Sequence, residues 1–267
     1  MIIASSNLLK LKSSIIINAD MTRYSFYTDL AKYYDKIYHY VDYEKQAEFF
    51  INLVKKYGAV GSNKALDFAC GTGKHAGILH KKGYGVIGVD LSRDMLAEAR
   101  KKYPNVKFYL GDMKSWKGSI KYGVIIIFYN SILYNKSKVE LKAAFKNCYD
   151  QLQENGLLIF DTVDKSIGVD SEAAKIKYAD DNLSISFSPQ WIYNPKNDFM
   201  DLEINFIING QKIHDRHVMG AFSLKEQKQL AEDAGFEVLI LKRSFDKIRR
   251  HSAKDKAVIF VCRKTKD

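Results

Sequence analysis

Residues 66–73 of this 267-residue chain read Leu-Asp-Phe-Ala-Cys-Gly-Thr-Gly, and no other segment restricts the fold as much. An apolar run, Ala65 to Ala69, carries one acid, Asp67, and breaks into two glycines, Gly71 and Gly73. Glycine takes positive φ at no steric cost and lets the backbone approach a ligand without a Cβ in the way. A helix starting just after such a turn points its free N–H groups at whatever lies over it. Strand, glycine turn and helix together make a nucleotide-type site at the carboxyl end of a parallel strand. The pattern differs from the G-x-G-x-x-G of dinucleotide binders, whose third glycine falls on Ala76 here. The acid inside the strand separates the two patterns better than that one substitution, and it disfavours a dehydrogenase.

The next stretch keeps the same rhythm. Residues 85–90, Gly-Val-Ile-Gly-Val-Asp, read as a short buried strand ending in Asp90, 23 positions after Asp67, as one β-α-β unit requires. A carboxylate at that tip can accept both hydroxyls of a ribose. Ser92 is placed to cap the following helix, with Asp94 and Glu98 near the positive end of its dipole. A third apolar strand, Val106 to Leu110, ends in Gly111-Asp112-Met113. Three acids in register with a glycine turn closely resemble the class I S-adenosylmethionine-dependent methyltransferases. The resemblance implies an α/β fold with a doubly wound, seven-stranded Rossmann-like methyltransferase sheet and S-adenosyl-L-methionine as cofactor. Carried residue by residue, it implies binding by Asp67, Ala69, Cys70, Gly71 and Gly73 at the first turn. Asp90, Leu91 and Met95 follow at the second, Asp112 and Met113 at the third, and Phe128 at the end of the fourth strand.

Ahead of the motif the chain is rich in tyrosine. Tyr33-Tyr34-Asp35-Lys36-Ile37-Tyr38 resembles the Y-Y-D-x-I-Y segment that forms a lid helix in many small-molecule methyltransferases. Aromatic faces attract a sulfonium cation and keep water from the reacting methyl. Tyr34 and Tyr38, four apart on one helical face, are the expected cofactor contacts, with Tyr34 also a catalytic candidate. Packing against the core accounts for about half of the tyrosines in this stretch, and the rest, together with residues 164–222, can wall the site. Residues 44–56 read as an amphipathic helix. The fourth strand, Val124 to Phe128, runs into Tyr129-Asn130-Ser131-Ile132-Leu133-Tyr134. That loop lacks the prolines of the nucleic-acid and protein N-methyltransferase signature. It resembles instead the F-x-S-I-x-Y/H loop of amino-sugar N-methyltransferases, and Tyr134, where some relatives have histidine, becomes a second catalytic candidate.

After a helix over 137–152 and a fifth strand over 156–162, residues 164–222 alternate at period two. Leu183, Ile185 and Phe187 do so, as do Trp191 with Tyr193, and Met200 through Ile208. They read as a three-stranded antiparallel β insertion after strand 5, covering the substrate. On its last strand His214 and Arg216 share one face and His217, the third catalytic candidate, lies on the other. Ser223-Leu224-Lys225-Glu226 is a capping box for a helix over 224–234, followed by strands near 237–245 and 256–263. The expected organisation is an extension over 1–22, a core over 23–163 and 223–267, and the insertion over 164–222. Met21 is an alternative start, because the resemblance begins just after it.

Composition narrows the function classes. No apolar run reaches the roughly 18 residues of a membrane span. Cys70, Cys148 and Cys262 are too widely spaced for a metal site or a disulfide framework, so no metal is expected and a reducing cytoplasmic location is. The net charge of +11 raises nucleic acid as a partner, but pairs such as Lys101-Lys102, Lys242-Arg243 and Arg249-Arg250 are scattered and read as solvated faces. The expected activity is methyl transfer to an amine, or a hydroxyl, of a small molecule. RNA methylation and S-adenosylmethionine binding without turnover are the alternatives, and a homodimer is compatible with the sequence. With no evident base, nitrogen is slightly favoured over oxygen.

Overall fold

The computed structural model describes residues 24–58, 62–168 and 175–265; the extension over 1–22 and the alternative start at Met21 lie outside them. Its main sheet has seven strands: β1 (Lys64–Phe68), β2 (Gly85–Asp90), β3 (Lys107–Leu110), β4 (Tyr122–Ile127), β5 (Leu152–Val163), β10 (Phe236–Lys242) and β11 (Ala257–Lys264). They lie in the order β10-β11-β5-β4-β1-β2-β3. Strands β1 to β5 are mutually parallel, and β11 runs antiparallel to both β5 and β10. The order reverses between β1 and β4, and ligands of open α/β sheets bind at such a switch point. Central strands buried on both faces read as near-continuous apolar runs, and all six residues of β4 are buried.

Helices cover both faces: α2 (Tyr43–Tyr57), α3 (Lys74–Lys81), α4 (Arg93–Lys102), α5 (Lys138–Gln151) and α6 (Leu224–Asp233), preceded by the single turn α1 (Tyr34–Ile37). Their starts are chemically specified. Asp42, Ser92 and Ser137 each accept a backbone N–H in the first turn of α2, α4 and α5. Ser223 and Glu226 form the full reciprocal capping box of α6. No helix among the described residues is long and apolar enough to cross a membrane.

The insertion has four strands where three were expected: β6 (Ile176–Asp180), β7 (Leu183–Asn194), β8 (Phe199–Ile208) and β9 (Gln211–Gly220), antiparallel in that order. Leu183–Phe187 and Trp191–Tyr193 belong to one strand, β7, despite Pro189 between them. Strand β6 pairs with Leu183 to Phe187, and Pro189 lies beyond that ladder, opposite Ile204 of β8. One face of this sheet packs Ile185, Phe187, Ile204 and Phe206 against Phe26, Leu30 and Ile37 of the N-terminal segment. Met200 and Met219 join the core of the main sheet. The insertion is therefore built into the core at both ends.

Candidate active site

At the carboxyl ends of β1, β2 and β4 lies a cavity of about 710 Å³, within the usual size range of small-ligand sites. Its floor is the glycine turn. Gly71 (φ 54°) and Gly73 (φ 78°) both take the left-handed conformation the sequence calls for. The Gly71 N–H donates to Asp90 Oδ2 at 2.8 Å, and Ser92 N–H donates to Asp90 Oδ1 at 2.8 Å. Asp90 thus ties the first turn to the second before any ligand is considered.

Of the cofactor contacts expected from sequence, Tyr34, Asp67, Ala69, Cys70 and Gly71 line this cavity, as do Asp90, Leu91, Met95, Met113 and Phe128. Three do not. Tyr38 packs at a tilt behind Tyr34 and Tyr129, at 4.8 and 5.3 Å between ring centroids, because α1 is only one turn long and Tyr38 already caps it. Gly73 turns its Cα toward Phe108, away from the cavity. Asp112 accepts the Lys114 N–H at 2.8 Å and pairs with the Lys114 ammonium at 3.0 Å, while its neighbours Gly111 and Met113 form the wall.

Further walls come from the loop after β4, through Tyr129, Ser131 and Tyr134, and from the N-terminal segment. Tyr24, Tyr27 and Tyr34 line the cavity, and among the described residues the insertion supplies no lining side chain. Its part is indirect: it holds that segment in place. Tyr24 stacks on His217 of β9, the Phe26 N–H reaches Asp215, and Ser92 Oγ donates to the Tyr27 carbonyl on the opposite rim. Asp35 of α1 accepts from Thr72 Oγ1 at 2.6 Å and pairs with Lys102, fastening the lid turn to the glycine loop. Sequence reasoning missed Tyr24 and Tyr27 because aromatic density alone does not say which rings face inward.

The catalytic candidates also converge. Tyr134 lies on the cavity wall, its hydroxyl 2.5 Å from His217 Nδ1 and 2.8 Å from the Tyr27 hydroxyl. His217 is fully buried behind it, on the opposite face from the half-exposed His214 and Arg216, which pair with Glu203 and Asp201. The loop bearing Tyr134 starts with Tyr129 and Asn130, both left-handed at φ 59° and 58°. It is held by buried Asp161 at the end of β5, which accepts the Asn130 N–H at 3.0 Å and pairs with Arg243 at 3.2 Å. Arg243, read from sequence as part of a solvated basic pair, is a strut of the site.

The cavity fits a ligand with a cationic end, a ribose and a flat apolar ring. Asp67 is buried in its wall and its Oδ2 has no hydrogen-bond partner. Burial, with the nearby Asp90 carboxylate adding to it, pushes the Asp67 carboxyl well above the usual range. A positively charged donor relieves both conditions. The oxygens of Asp90 retain lone pairs for ribose hydroxyls, and Leu91, Met95 and Met113 offer apolar surface for a base. Asp90→Ala is expected to weaken S-adenosylmethionine binding roughly 10- to 100-fold in calorimetric titration, the loss of a charge-assisted hydrogen bond. Because the same carboxylate holds the Gly71 and Ser92 N–H groups, the melting temperature of the ligand-free protein should fall as well; an unchanged affinity would make Asp90 purely structural.

Known proteins give this geometry a family. Residues 65–156 match the Methyltransferase domain family. A methyltransferase-named protein of Geobacillus sp. (strain WCH70) is 30% identical over 249 residues, spanning 89% of this chain and 99% of the relative. The dTDP-3-amino-3,4,6-trideoxy-alpha-D-glucopyranose N,N-dimethyltransferase of Streptomyces venezuelae is 32% identical over 49% of this chain and 56% of its own. In fold, the crystal structure of Streptomyces venezuelae DesVI superposes with a TM-score of 0.77 at 24% identity, covering 89% of this chain and 99% of that one. A S-adenosylmethionine-dependent methyltransferase from Clostridium acetobutylicum superposes at 0.73 with 22% identity, over 90% and 99% of the two chains. With Asp67, Gly71 and Asp90 gathered on one cavity at the switch point of the sheet, the chain belongs to the S-adenosylmethionine-dependent methyltransferases.

Proposed function

We propose that this enzyme transfers a methyl group to an amine of a small molecule. The observation that carries the reading is the strap over the site. Tyr24 and Tyr27 cross the cavity from β9 to the start of α4, anchored by the Val218 carbonyl on one side and Ser92 on the other. A cavity roofed in this way suits an acceptor that enters whole and does not suit a strand of RNA lying across the sheet. Relatives support nitrogen as the target: two are named as amino-sugar N,N-dimethyltransferases and two as glycine/sarcosine N-methyltransferases. Three buried, unpaired thiols suit a reducing compartment such as the cytoplasm.

When bound, S-adenosylmethionine supplies an electrophilic methyl on a sulfonium, so a nitrogen lone pair forms the new N–C bond as the C–S pair leaves with sulfur. What this chain contributes is positioning, since holding both reactants in line accounts for much of such a rate enhancement. Asp67 and Asp90 hold the cofactor, and the tyrosine wall excludes water and sets the acceptor beside Tyr134. The reading is tested by S-adenosylhomocysteine release from purified protein given dTDP-3-amino-3,6-dideoxyglucose, glycine, sarcosine, a panel of primary amines, or bulk RNA. Turnover on an amine, nearly indifferent to salt, is expected. Activity on RNA that falls steeply with salt would replace this reading with the polyanion one.

A further inference from the structure

Three segments far apart in sequence meet in a buried chain of hydrogen bonds that ends in the cavity. Asp215 and His217 lie two apart on β9 and so point the same way. Asp215 Oδ2 is 3.1 Å from His217 Nε2 and also accepts the Phe26 N–H at 2.7 Å. His217 Nδ1 is 2.5 Å from the Tyr134 hydroxyl, which is 2.8 Å from that of Tyr27. His217 has no exposed surface, and the Tyr24 ring stacks over it at 4.1 Å.

With a neutral imidazole, donor and acceptor arithmetic fixes the direction of this chain. A carboxylate only accepts, so Asp215 places the imidazole hydrogen on Nε2 and leaves Nδ1 as an acceptor. Tyr134 must then donate to Nδ1, and its oxygen receives the Tyr27 hydroxyl. Both tyrosines line the cavity, and in this arrangement both turn lone pairs, not hydrogens, toward it. The site is thereby built to receive an N–H group.

We propose that Tyr134, backed by His217 and Asp215, is the proton acceptor of the reaction. The inference rests on the amine reading above. An amine of ordinary basicity is protonated at neutral pH and has no lone pair to offer until it loses a proton. That proton passes to the Tyr134 oxygen, the N–H bonding pair staying on the amine nitrogen, while the phenolic hydrogen of Tyr134 moves to His217 Nδ1. One proton has moved from amine to imidazole, nothing is oxidised, and the resulting imidazolium is held by Asp215. Tyr134 is the catalytic residue and touches the acceptor; His217 and Asp215 act through it as positioning residues. The groups facing His217 are accounted for: Tyr24 and Tyr27 from the N-terminal segment, Tyr134 from the loop after β4, and Asp215 on its own strand. Asp201 on neighbouring β8 is engaged by Arg216 at 2.7 Å.

Two measurements test this. Long-range ¹H–¹⁵N spectra of the full chain labelled at histidine, recorded without acceptor, should show His217 protonated at Nε2 and bare at Nδ1. Tyr134→Phe should move the Nδ1 resonance. A hydrogen on Nδ1 in the unaltered protein would overturn the relay. The second uses whichever amine of the panel the enzyme methylates. Tyr134→Phe and His217→Gln should lose roughly 100-fold in kcat at about pH 7, with S-adenosylmethionine affinity retained. Both should climb back toward the unaltered enzyme at about pH 10, where the amine sheds its proton to water. A loss of the same size at every pH, or no loss, would overturn the relay; Tyr134→Phe, nearly isosteric, guards against a His217 variant that does not fold. Turnover on none of the amines counts against the substrate reading alone, and the tautomer then decides the relay.

Discussion

Gly71→Val should abolish S-adenosylmethionine binding in calorimetric titration while the protein still folds, and Gly73→Val should do nearly the reverse. The two glycines share a conformation but face different neighbours. A Cβ on Gly71 meets no atom within 4 Å, since it projects into the open cavity over the turn. Valine there fills cofactor space, and holding an L-residue at φ 54° costs about 1–2 kcal/mol. A Cβ on Gly73 lies 2.8 Å from Phe108 Cζ and 3.1 Å from Ala99 Cβ, so valine overpacks the interface between α4 and β3. Adding strain at φ 78° to overpacking predicts a loss of about 2–5 kcal/mol. Thermal melts paired with titration separate the two effects. A Gly71→Val protein that binds normally would mean the turn is not where the cofactor lies.

That contrast marks what the sequence could reveal. The glycine turn, the acids ending β1 and β2 and the helix caps are local devices: each requirement is met within a few residues, so spacing alone exposes it. The same holds for alternation along β9, which correctly set His217 opposite His214 and Arg216. Alternation could not name what His217 meets, because Tyr134 is 83 positions away and reaches it only once β9 docks on the loop after β4. Asp215, which completes the chain, drew no notice for the same reason. Strand β6 escaped because its alternation is weak, with Ile176 and Tyr178 only partly buried. The absence of an evident base, which tilted the sequence argument toward nitrogen, loses its force once a histidine from the insertion stands behind Tyr134. Amine over hydroxyl now rests on the relatives and on what the relay is suited to receive.

Arg243→Ala should lower stability by about 2–3 kcal/mol near neutral pH and lose turnover, with S-adenosylmethionine affinity changed only a few-fold. Breaking a buried ion pair on one side typically costs about 3–5 kcal/mol; the Arg243 side chain is 32% exposed, which lowers the figure. What remains is Asp161, 6% exposed, held by backbone N–H groups, that of Asn130 at 3.0 Å among them, and no cation. Burial already holds this carboxyl above its ordinary range, opposed chiefly by the Arg243 charge. Without the guanidinium it rises further. A folded-state value above the unfolded one means the charged form is penalised in the folded protein at neutral pH. That penalty fades as pH falls through the folded-state value and is gone below the unfolded value of about 4, where the acid is protonated in both states. The stability gap between Arg243→Ala and the unaltered protein should therefore be widest near neutrality and narrow in acid, measured by denaturant unfolding across pH. Turnover should fall because Arg243 also reaches Asn130 Oδ1 at 3.2 Å, steadying the left-handed pair at Tyr129 and Asn130 from which the Tyr134 loop departs. Cofactor affinity should hold because Asp67, Gly71 and Asp90 are anchored independently of that loop. A gap that stays constant with pH would assign the loss to arginine packing instead of the buried carboxylate.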